Sequence, residues 1–77
     1  MVGTFLKHGF RTYANFIDNA TPENMCTVIT ECTRAELIEF LSWNDPNGVY
    51  NDEQAEKEGF PTATIEDLQN MAFNQLF

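Results

Sequence analysis

The side chains weighed first for nucleophilic, acid–base or metal chemistry are one histidine, two cysteines and 12 carboxylates. His8 beside Cys26 or Cys32 would make a thiolate–imidazole nucleophile. The spacing does not require that meeting, and His8 falls on the polar face of the first helical segment, where a histidine is a solvated surface group. The same three residues are too few, and too irregularly spaced, for a common zinc pattern. Residues 45–56 offer Asp45, Asn47, Asn51, Glu53 and Glu56 in the frame of a calcium loop. The frame fails where Val49 brings no side-chain oxygen and where Tyr50 replaces the glycine of the sharp turn. Glu53, Glu56, Glu58, Glu66 and Asp67 lack the apolar neighbours that raise a carboxyl pKa for acid catalysis. No phosphate-cradling glycine loop, GxSxG or HExxH occurs. The expectation is a non-enzymatic protein with no catalytic residue, no cofactor and no metal.

The stretch Trp43-Asn44-Asp45-Pro46-Asn47-Gly48-Val49-Tyr50-Asn51-Asp52 points elsewhere. Its Asp-Pro-Asn-Gly segment has a favoured residue at every position of a type I turn. A rigid turn between Trp and Tyr, with acids alongside, has the composition of an interface hot spot. Trp43, Asp45, Asn47, Tyr50 and Asp52 are therefore the candidate interaction residues. The alternative is that Trp43 and Tyr50 fold back over a small core. Exposure of the two rings decides between these readings.

The elements that carry these residues read as helices. Phe5, Leu6, Phe10, Tyr13, Phe16 and Ile17 share one side of a 3.6-residue period, which predicts a first helix ending near Asp18. Gly9 would cost that helix about 1 kcal/mol relative to Ala. Thr21-Pro22-Glu23 restarts the chain as a helix with Met25, Val28, Ile29 and Cys32 inward. The β-branched Thr27-Val28-Ile29-Thr30 makes a short strand near residues 26–30 the competitor. Thr33-Arg34-Ala35-Glu36 is a capping box before the stripe Leu37, Ile38, Phe40 and Leu41. Asn51 or Asp52 caps a short acidic helix that Gly59 and Pro61 end. Thr64 starts the last helix, with Ile65, Leu68, Met71, Ala72 and Leu76 inward. The fold class is all-α, a small compact bundle of four to five short helices, with α+β as the alternative. No segment is stable alone at these lengths, so residues 1–77 form a single domain.

The 77 residues carry a net charge of -8, with 43% hydrophobic side chains, too apolar for a disordered acidic tail. Residues 1–17 hold Lys7 and Arg11 and no acid; residues 18–77 hold all 12 acids and only Arg34 and Lys57. That balance opposes direct nucleic-acid binding and docking on an anionic membrane. The amphipathic, acid-free start also has the composition of a targeting segment, although a first helix explains it equally. Cys26 and Cys32 lie six residues apart, off each other's face on a helix, so both read as reduced core residues in a cytoplasmic setting. The function expected is an acidic interaction or regulatory module that self-associates or docks on a basic protein. A nucleic-acid-mimicking inhibitor is the alternative, and a metal-binding module the weaker one.

Overall fold

Side-chain oxygens start five of the six helices found in residues 3–77, the part of the chain that the computed structural model describes. The helices are α1 (Gly3–Lys7), α2 (Tyr13–Asn19), α3 (Pro22–Glu31), α4 (Arg34–Asn44), α5 (Asp52–Glu58) and α6 (Ile65–Leu76). Thr12 caps α2 and Asn51 caps α5. Thr21, Thr33 and Thr64 form reciprocal capping boxes with Asn24, Glu36 and Asp67. Each cap satisfies amides that a helix start leaves without partners. The molecule is all-helical, with no strand among the described residues. Residues 26–30 lie inside α3. Burial of Val28 and Ile29 outweighs their strand preference.

The first amphipathic segment is two helices, which raises the count to six. Gly9 adopts a φ of 90°, a left-handed conformation that glycine accepts without steric cost. Its N–H donates to Leu6 O at 3.0 Å and the Phe10 N–H donates to Phe5 O at 2.8 Å, so the chain turns out of α1 in a Schellman motif. The expected stripe holds for Phe5, Phe10, Tyr13 and Phe16, which are buried, but Leu6 points to water. A second such turn closes α5 at Gly59, where the Phe60 N–H donates to Ala55 O at 2.9 Å. Here the following Phe60 stays exposed.

The core is built on aromatic edges. The Phe5 ring is fully buried, with centroids 5.1 Å from Tyr13, 4.9 Å from Phe16 and 5.6 Å from Phe40. The first two contacts are edge-to-face, an arrangement that the ring quadrupoles favour. Leu37, Phe40 and Leu41 bring α4 into this cluster, and α6 packs on α3 and α4 through Leu68 and Ala72. Cys32 is in the core as expected. Cys26 is not, because its position on α3 faces solvent; Ile65 at the start of α6 is likewise exposed.

Long-range polar contacts fasten the short helices. Glu36 accepts from the Thr4 N–H at 2.8 Å and the Thr4 hydroxyl at 2.7 Å, while also accepting the Thr33 N–H at 3.0 Å. One carboxylate thus caps its own helix and ties α1 to α4. Burial pushes this carboxyl up, but the bonds from Thr33 and Thr4 outweigh it and hold it below its ordinary value. Arg34 donates to Asp52 Oδ2 at 2.9 Å and to Ala63 O, joining the starts of α4 and α5 to the approach to α6.

Two outcomes follow. Gly9→Ala destabilises the fold by about 1–2 kcal/mol in urea unfolding, because a β-carbon is strained at this φ; a continuous helix would give the opposite sign. Glu36→Gln costs about 1–2 kcal/mol at neutral pH. Its folded carboxyl lies below the ordinary 4.5, so the wild-type advantage is complete above that value and is lost as pH falls through the folded value. Urea midpoints of both proteins across an acid series measure the difference.

Candidate functional site

The five candidate residues run from the last turn of α4, through the Asp45 turn, to the first residue of α5, and do not share one environment. α4 ends at Asn44, and the Gly48 N–H donates to Asp45 O at 3.1 Å, closing the turn expected from Asp-Pro-Asn-Gly. Asp45 Oδ1 accepts the Asn47 N–H at 3.3 Å. Tyr50 then folds back under the turn. Its ring occupies the space where a β-carbon on residue 48 would stand, so only glycine fits there. The Tyr50 hydroxyl donates to Asp45 Oδ2 at 2.9 Å and accepts from Gln75 Nε2 at 2.8 Å. Gln75 Oε1 in turn accepts from Asn44 Nδ2 at 2.6 Å. The circuit links the end of α4, the turn and α6. Burial raises the Tyr50 phenol above its ordinary value, and the Asp45 carboxylate adds to this.

Trp43 goes the other way. It is 47% exposed, whereas Tyr50 is 8% exposed. The indole lies 5.4 Å from the Tyr13 ring and stacks on Phe40 at 6.5 Å with 25° between planes. One side of the indole is therefore seated on the core and the rest is presented to solvent. Asn47 is exposed at the tip of the turn. Asp52 faces solvent but its carboxylate is held by Arg34, whose hydrogen bonds lower its pKa. Of the candidate set, Trp43 and Asn47 form outer surface, Asp45 and Tyr50 form its internal support, and Asp52 belongs to the Arg34 clamp. Gln75 and Arg34, which complete these supports, carry no local signal in the sequence because their partners lie 25 and 18 residues away.

Of the reactive side chains, His8 and Cys32 are committed to structure, while Cys26 is exposed. His8 is not a freely solvated group: Nε2 lies 2.9 Å from Glu31 Oε2, and the side chain is 26% exposed. Lys7 donates to the other Glu31 oxygen at 3.1 Å. Burial pushes the Cys32 thiol up to about 12, which leaves it without thiolate at neutral pH. Among the described residues no three His, Cys, Asp or Glu side chains gather in a metal-binding group. A hollow of about 450 Å³ is lined by Asn51, Glu53, Gln54, Lys57 and Glu58, all from α5 and its cap. It is a hollow on the outer flank of one helix. Comparison with models of known families, with curated proteins and with solved structures finds no match.

The two rings differ in what they support, and stability measurements separate them. Trp43→Ala costs about 1–2 kcal/mol, well short of the roughly 3–5 kcal/mol of Phe40→Ala in the core beneath it. Tyr50→Phe keeps the ring but removes the partner of Asp45 Oδ2 and of Gln75 Nε2, costing about 1–2 kcal/mol. Urea unfolding followed by far-ultraviolet circular dichroism checks all three.

Proposed function

We propose that this chain is a non-enzymatic interaction module that docks on a basic protein surface through Trp43. The observation that carries this reading is the indole held against Tyr13 and Phe40 with 47% of its surface exposed. An immobilised aromatic ring loses little entropy on binding and fills a partner pocket at large gain, the behaviour of an interface anchor. The net charge of -8 supplies a field that steers a cationic partner and repels a phosphate backbone.

The setting proposed is cytoplasmic. Cys26 supports it as an exposed unpaired thiol, which a reducing compartment preserves. No helix among the described residues is long and apolar enough to cross a membrane.

Affinity capture at low and high salt, with wild type and Trp43→Ala side by side, tests the docking reading. It predicts basic proteins that bind wild type at low salt, weaken with added salt and are lost from Trp43→Ala. Equal capture by folded Trp43→Ala contradicts it.

A further inference from the structure

We infer that Asn47 is a site of spontaneous covalent modification, converted in water to isoaspartate or aspartate at a rate that the Tyr50 circuit sets. Of the eight asparagines only Asn47 precedes a glycine. With no β-carbon, glycine leaves its backbone nitrogen more open to the preceding side chain than any other residue does. Asn47 is exposed at the tip of the turn, and among the described residues its side-chain amide makes no hydrogen bond. The remaining asparagines are protected. Asn15, Asn19, Asn24, Asn70 and Asn74 lie in helices, where the following amide is held in the helical ladder. Asn44 and Asn51 each precede an aspartate, whose charge opposes loss of the adjacent amide proton.

The reaction needs only water. The Gly48 nitrogen gives its proton to solvent base and attacks Asn47 Cγ. The N–Cγ bond forms, the Cγ–Nδ2 bond breaks, and Nδ2 leaves as ammonia with a proton from solvent. A five-membered imide remains. Water adds at one of its two carbonyl carbons, and the ring nitrogen takes back a proton as its bond to that carbon breaks. Opening at Cγ gives aspartate. Opening at the Asn47 backbone carbonyl gives isoaspartate, with the main chain now passing through the former side chain. Nothing is oxidised or reduced. The closed turn opposes the first step. The Gly48 N–H that must lose its proton donates to Asp45 O at 3.1 Å. The Tyr50 ring fills the space beside Gly48, and its hydroxyl, bonded to Gln75, holds the Asp45 carboxylate. Asp45 is therefore both the acceptor that engages the nucleophile and a member of the circuit. Modification proceeds through brief local openings of this turn. Isoaspartate adds one carbon to the main chain beside Gly48, where the Tyr50 ring already takes the space, so the product is less stable than the parent. This chemistry and docking through Trp43 do not depend on each other.

Prolonged incubation of the full chain in neutral and mildly alkaline buffer, with peptide mass mapping at intervals, tests it. The peptide that contains Asn47 should gain one mass unit before any other, faster at the higher pH, and electron-transfer fragmentation should show isoaspartate at that position. The chain unfolded in urea should convert faster than the folded one. Tyr50→Phe removes a bond of the circuit, which raises the open population, and the conversion rate with it, about five- to thirtyfold. Gln75→Ala should accelerate conversion in the same direction. It lies 25 residues from Tyr50 and leaves the sequence around Asn47 unaltered, so its effect reports the gate and not local chemistry. Circular dichroism confirms that both variants are folded. No conversion at Asn47 in the folded chain, earlier conversion at another asparagine, a folded chain as fast as the unfolded one, or a rate that both variants leave unchanged overturns the inference.

Discussion

The structure depends on the burial of Phe5. A helix of five residues has no stability of its own in water, since nucleation costs more than its few hydrogen bonds return. α1 persists because its one buried ring fills the space between Tyr13, Phe16 and Phe40. The contacts that follow are consequences of that placement. Thr4 comes within reach of Glu36, and the Gly9 turn returns Phe10 to the core, where its ring meets Phe16 at 5.2 Å. Tyr13 and Phe40, each fixed by an edge contact to the cluster, become the floor on which Trp43 rests. The exposed indole is thus connected to Phe5 through a single intermediate side chain.

Around this apolar centre the charges are arranged so that a strongly acidic chain can stay folded. Lys7 is spent on Glu31, and Arg34 on Asp52, and Lys57 lies one helical turn from Glu53. Glu36 is held by amides and a hydroxyl and needs no cation. Carboxylates along α5 and the first turn of α6 face solvent, where mutual repulsion is weakened by water. The outcome is a run of solvated carboxylates along α5 and the start of α6, with the half-exposed indole of Trp43 at the end of α4.

Much of the fold was legible in the sequence because its determinants are local. Threonine oxygens at 21, 33 and 64 mark helix starts within three residues of the amides they cap, and Gly59 marks an end through its own φ. The Asp45 turn is equally local. The break at Gly9 was hidden because Phe5, Phe10, Tyr13 and Phe16 reach the same core from two helices as they would from one. The local clue was Thr12 followed three residues later by the amide it caps. The candidate surface was legible only in outline. Trp43 and Tyr50 look equivalent as sequence, yet one has Gly48 to tuck beneath and Gln75 and Asp45 to bond, and the other has Tyr13 and Phe40 to lie upon. Gln75 and Tyr13 come from helices distant in the chain, and no spacing rule reports them.

The central claim is that the core holds Trp43 still while leaving it in solvent. Nuclear spin relaxation of the Trp43 indole N–H in the free protein measures this directly. A seated ring predicts an order parameter close to that of rigid backbone, about 0.85. A value below about 0.6, the signature of an indole that swings freely, would contradict the account.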